Sequence, residues 1–164
     1  MNTKSIGNQS HSEGNGTIAS GNSSHTEGTN TIASGLNTHA EGNNTISSGE
    51  NSHVEGNNSK AIGMHTHAEG DSTQAIANCS HTGGTGSIAE GYASFAHGNG
   101  VKTKNNSEIA LGKFNVVNEG NDSTKQSLYS VGCGTGDDSR YNALMITQSG
   151  DMYIKDIGNY EGNE

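Results

Sequence analysis

Hydrophobic and polar positions in this chain follow a period of seven. Glycine recurs at Gly7, Gly14, Gly21, Gly28, Gly35, Gly42, Gly49, Gly56, Gly63 and Gly70, and again at Gly84, Gly91 and Gly98. Ala77 is the one break in that series. Between glycines the heptad reads x-x-[Ser/Thr]-x-[small]-x-Gly. Alternate heptads differ, so the true repeat is fourteen residues, and a fixed short period is the signature of a stacked architecture. One half carries His then Glu, as in His25/Glu27, His39/Glu41 and His53/Glu55. The other carries one isoleucine: Ile6, Ile18, Ile32, Ile46, Ile62, Ile76 and Ile88.

Seven residues rich in Gly, Asn, Ser and Thr do not sustain a helix. They suffice for a strand of about five residues and a two-residue corner, with Gly at the left-handed position and Asn supporting the turn. Asn15, Asn22, Asn30, Asn37, Asn43, Asn44, Asn57, Asn58 and Asn78 cluster at these corners. Two strands and two corners make one 14-residue coil, and coils stacked about 4.8 Å apart give two parallel sheets. Side chains alternate along a strand. Heptad positions 3 and 5 are all small and point inward; positions 4 and 6 point outward. The expectation is an all-β parallel roll over residues 1–98. A last coil and transition follow over 99–120, with a strand leaving the roll at 113–117. Residues 121–164 read as a small antiparallel β module, with strands at 127–131, 141–146 and 152–157, a Gly-rich loop at 132–138 and a turn at 149–151.

Composition sharpens this reading. Hydrophobic content is only 27%, Pro and Trp are absent, and the net charge is −9. Such values accompany disorder in chains without a period; a solenoid reconciles them with folding, because each rung needs only a few small inward residues. Eight Lys and Arg against 17 Asp and Glu leave no basic cluster for nucleic acid. No apolar run approaches the ~20 residues of a membrane span, and the first ten residues lack the apolar segment of a signal peptide. Cys79 and Cys133 lie far apart without metal-ligand spacing and read as free thiols.

One isoleucine per rung is an apolar stripe that a soluble monomer rarely leaves exposed. Burying each fully contributes about 1.5–3 kcal/mol. Ile18, Ile32, Ile46, Ile62, Ile76 and Ile88 are therefore expected to pack against their counterparts around a symmetry axis.

The unit S-x-A-x-G-x-x-[ST]-x-A-x-G resembles the head repeat of trimeric autotransporter adhesins, the YadA-like head. The matching stretches are SKAIG at 59–63, SIAEG at 87–91 and SFAHG at 94–98, and the resemblance extends over about residues 1–119. It implies a left-handed parallel β-roll and a homotrimer. The SHxEG/TIASG alternation is similar to variants in phage tail-fibre proteins. The segment N-A-L-x-I-x-x-x-G-D-x-Y-I, from Asn142 to Ile154, resembles a β module near the C-terminal end of many such fibres, where three copies intertwine as a β-prism. The function implied is a non-catalytic structural or receptor-binding segment of a trimeric fibre, located on a virion tail or a cell surface. Its partner would be a host-surface receptor or glycan.

The repeat also sets out candidate chemistry. His11/Glu13, His25/Glu27, His39/Glu41, His53/Glu55, His67/Glu69 and His81, with Gly83 in the last Glu position, should stack one rung apart on one face. Imidazole ligates metals and titrates near neutral pH, so His11, His25, His39, His53, His67 and His81 are the metal candidates. The plainer reading is a solvated outer sheet. An array of Thr (Thr17, Thr31, Thr45, Thr73) would suit ice, but this register turns it inward. A metal- or ice-interacting solenoid acting through its repeated outer face is the alternative class. GCGTG at 132–136 has no Lys after it and no strand–loop–helix setting, so it reads as a plain loop. Asp122, Asp137, Asp138 and Asp151 lack EF-hand spacing. Ser, His and Asp recur in repeat positions, whereas catalysis needs one asymmetric constellation. The sequence thus indicates no enzyme, no catalytic residue and no cofactor.

Overall fold

A computed structural model of the protein describes residues 3–118, 122 and 124–155. Those residues form strands and turns with no helix. Two parallel sheets run the length of a solenoid. The isoleucine sheet has eight strands, from Lys4–Ser5 to Lys102–Thr103. The histidine sheet has eleven, from His11–Ser12 to Met152–Ile154. Paired residues are one repeat apart: Ile18 sits on Ile32 and Ile32 on Ile46, while His25 sits on His39 and His39 on His53.

Most strands are two residues long, as in Ile32–Ala33 and His39–Ala40, rather than the five expected. The corners absorb the difference. Heptad position 2 is left-handed at every turn, with φ of 53–55° at Ser23, Asn30, Asn37, Asn44, Asn51 and Asn58. Asn tolerates this region better than most residues. Its amide also bonds to the next rung: Asn30 Nδ2 donates to Asn44 Oδ1 at 3.2 Å and Asn37 Nδ2 to Asn51 Oδ1 at 3.0 Å.

The glycines divide into two classes. Those after the His-x-Glu segment are left-handed, with φ of +99° at Gly42 and +101° at Gly56. Those after the isoleucine segment are not, so only half the series supplies the expected positive φ. The other half is required by crowding: a Cβ at Gly49 would overlap the Gly63 carbonyl.

The interior matches the inward assignment of positions 3 and 5. Ala33, Ala40, Thr31 and Thr45 are fully buried. Position 3 also closes the corner before it. Ser24 Oγ donates to the Gly21 carbonyl at 2.6 Å, and Ser52 and Thr66 do the same to Gly49 and Gly63 at 2.6 and 2.7 Å. Among the described residues the buried apolar ones are all Ala except Val54 and Val101, and every isoleucine lies outside this core.

The C-terminal end departs from expectation in three places. Residues 113–117 do not form a strand leaving the roll. Lys113 ends the strand Ile109–Lys113 in the histidine sheet. Phe114 then turns the chain at φ 42°, and Asn115 enters the interior. Its side chain imitates one more rung of the isoleucine sheet, accepting from Lys102 N and donating to Lys102 O, both at 2.8 Å. Gly132 and Cys133 belong not to a loop but to the strand Ser127–Cys133. That strand pairs parallel with Ile109–Lys113, Ile109 facing Tyr129 after a twenty-residue interval. The antiparallel strands Asn142–Thr147 and Met152–Ile154 follow, so the small C-terminal sheet continues the histidine sheet. Gly150, at φ 92°, makes the expected turn. Residues 156–157 of the last expected strand lie outside the described residues.

Candidate functional site

Heptad position 4 of the histidine sheet brings His11, His25, His39, His53, His67 and His81 into one column. The 14-residue repeat produces this directly, since each imidazole leaves an equivalent backbone position one rung above the last. Ring centroids are 4.7 Å apart for His25/His39, 4.8 Å for His39/His53 and 4.9 Å for His53/His67. Those rings lie within 6° of parallel. The column ends in tilted rings at His11 and His81, and Phe95 continues it with an edge contact at 5.0 Å.

Position 6 supplies a parallel column of carboxylates. Each imidazole reaches the glutamate of the preceding rung. Nε2–Oε1 distances are 3.8 Å for His25/Glu13, 3.9 Å for His39/Glu27, 3.5 Å for His53/Glu41 and 3.4 Å for both His67/Glu55 and His81/Glu69. Nε2 of His25, His39, His53 and His67 is shielded from solvent and has no hydrogen-bond partner. Burial, and then the neighbouring imidazoles His53 and His25, hold His39 below the usual histidine pKa of 6.5. Burial and then His67 lower His81 in the same way. Both shifts favour the neutral imidazole, the form that ligates metals.

Three groups on this ladder bring three ligand atoms within 4.8 Å of one another: His11/Glu13/His25, Glu27/His39/Glu41 and Glu55/His67/Glu69. His53 and His81 share the column but fall between or beyond these groups.

His97 joins the ladder from a position that the repeat assigns to glutamate. Gly83 stands one rung below it with no side chain, and a Cβ there would collide with the His97 ring. The space lets His97 Nε2 lean to 3.9 Å from Glu69 Oε1. The signal was present in the sequence as Gly83 in a Glu position, but its meaning depends on the residue fourteen places later.

The isoleucines Ile6 to Ile88 occupy one outer face in two columns rather than one row, while Ile109, Ile146 and Ile154 lie on strands of the histidine sheet. Ile18, Ile32, Ile46 and Ile88 are at position 4, where Lys4, Lys60, Gln74 and Lys102 are their neighbours in register. Ile62 and Ile76 are at position 6, as is Ile6. The stripe steps sideways by two residues, about 6.6 Å, and still provides one isoleucine on most rungs. Ile62 is 41% exposed and Ile6 63%, while Ile18, Ile32, Ile46, Ile76 and Ile88 are half-buried.

The other sequence candidates do not assemble into sites. Thr17, Thr31, Thr45 and Thr73 are fully buried and offer no surface to ice. Asp137 accepts from Arg140 and from Lys102 Nζ, the latter at 3.1 Å; these contacts, Arg140 first, hold its carboxyl below the usual range. Asp122 is occupied by Thr124, whose hydroxyl and N–H lower its carboxyl. Asp151 Oδ2 accepts from Ser149 Oγ. Cys79 and Cys133 are free thiols, the first exposed. Comparison with protein-family models, curated proteins and solved structures gave no match for this chain.

Proposed function

We propose that the protein is a structural or receptor-binding segment of a trimeric fibre, such as a phage tail fibre or a surface adhesin, with no catalytic role. The observation that carries this reading is the placement of large apolar side chains. Among the described residues the hydrophobic core is Ala and two Val, and every described isoleucine lies outside it. A chain that places the isoleucines of its repeat on one outer face gains their burial by association. Three identical faces around an axis accomplish that with closed symmetry, and the left-handed YadA-like roll is the architecture that the repeat resembles. Leu128, Tyr141, Met152, Tyr153 and Ile154 are also exposed, 69% for Ile154, and supply a second apolar area near the C-terminal end for the same association.

A stiff trimeric rod presents three copies of each outer surface, so that individually weak contacts become avid. The surfaces available to a host receptor or glycan are the outer histidine sheet and the turns near residues 92–105 and 132–140. Ile32→Asp together with Ile46→Asp tests the reading by placing carboxylates in the middle of the proposed interface. In sedimentation velocity the double variant should lose the trimer while retaining the β-sheet circular dichroism of the roll. Unchanged sedimentation would remove the isoleucine face from the assembly.

A further inference from the structure

We propose that the histidine–glutamate ladder is a row of binding sites for divalent transition-metal ions of the zinc class, each ion bridging adjacent rungs. The three sites are His11/Glu13/His25, Glu27/His39/Glu41 and Glu55/His67/Glu69. Nothing in this inference depends on the fibre reading, because the ladder lies on the sheet opposite the isoleucines.

Two observations carry it. The first is separation. Tetrahedral zinc, with bonds of about 2.0–2.1 Å, holds its ligand atoms about 3.3–3.4 Å apart. His67 Nε2 and Glu55 Oε1 are 3.4 Å apart, and His39 Nε2 and Glu27 Oε1 3.9 Å. These gaps exceed the ~2.7–2.9 Å of a charge-assisted hydrogen bond and approach the edge of a metal coordination shell. The second is the unpartnered ring nitrogen. Nε2 of His25, His39 and His67, one in each site, is shielded from solvent and has no hydrogen-bond partner. An unpartnered imidazole nitrogen among carboxylates is a donor atom placed to take a cation.

The repeat also solves the charge problem. At the second and third sites two carboxylates supply two negative charges, which match a divalent ion. Sites centred on His39 and His67 are two rungs apart, about 9.6 Å, which keeps the ions from facing each other directly. Three protein ligands leave a coordination position open to water. The imidazole favours zinc, nickel or copper over magnesium or calcium, which take oxygen ligands.

Calorimetric titration of the full chain with zinc chloride, after chelator treatment, tests the assignment. About three ions should bind per chain, with magnesium chloride at least tenfold weaker. His67→Gln should reduce the count to about two. Glu55→Gln with Glu69→Gln should do the same while leaving the imidazole stack in place, so that lost ligation is separated from lost fold. His65→Gln, at an exposed corner outside the ladder, should leave three. Fewer than one ion per chain, or a stoichiometry that neither ladder variant changes, would overturn the proposal.

Discussion

Glu108 shows how much a single residue can change within a regular repeat. It occupies position 3, where the earlier rungs place Ser, Thr or, at Val101, Val, and is 1% exposed. Its Oε2 accepts from Lys104 N and Asn105 N, both at 2.9 Å, and from Asn105 Nδ2 at 3.1 Å, while Oε1 accepts from Ser127 Oγ. This carboxylate ties the last corner of the roll to the strand that begins at Ser127. Burial nevertheless lifts its carboxyl above the usual 4.5, outweighing the donors that pull it down. The folded chain therefore keeps this proton to higher pH than the unfolded chain. The stabilisation is complete below about pH 4.5 and is lost as pH rises through the raised folded value. Glu108→Gln should remove that contribution, so that its urea midpoint gains relative to the wild type's as pH is raised from about 4.5. Parallel pH profiles for the two proteins would contradict the assignment.

At the scale of the element, the corner and the two-residue strand are the repeating units, and the two kinds of left-handed glycine separate sterics from conformation. Gly42 has φ +99°, and an added Cβ would overlap the Gly56 carbonyl of the next rung. Gly86 has φ +62° with open space around the Cβ position, and Ala93 already occupies the equivalent place at φ 53°. Gly86→Ala should cost about 1 kcal/mol from backbone strain alone. Gly42→Ala should cost at least about 3 kcal/mol, since the strain adds to a backbone collision. Thermal melting of the two variants measures the difference, and equal costs would mean that the rungs separate easily.

The elements were legible in the sequence to the extent that they repeat. Inward Thr31 and Ala33, outward Ile32 and the stacked His39 follow from period and alternation alone. The end of the roll was not legible, because it depends on single residues. Asn115 reads as part of a strand until its amide is seen bonding Lys102, and the role of Glu108 depends on Ser127, nineteen places away. The isoleucine row was legible as one residue per rung, but its division between positions 4 and 6 was lost by counting rungs rather than positions. His97 was missed because its partner space is created by Gly83 in another rung.

The whole molecule is a narrow solenoid with two unlike faces. One carries the imidazole and carboxylate columns; the other carries isoleucines interrupted by Lys60, Gln74 and Lys102. Along the repeat its interior holds small side chains, with Glu108 and Asn115 entering only after the last regular coils, and among the described residues the buried apolar side chains are Ala and Val. This imbalance leads to the proposed trimer, in which the outer isoleucines supply what the core lacks. The most direct test is the absolute molar mass of the full chain in solution by light scattering. Three chains of 16.8 kDa give about 50 kDa, and the account predicts that mass, unchanged by chelator because the ladder lies on the opposite face. A monomer of 16.8 kDa would contradict it, since the isoleucine face would then remain exposed to water without a partner.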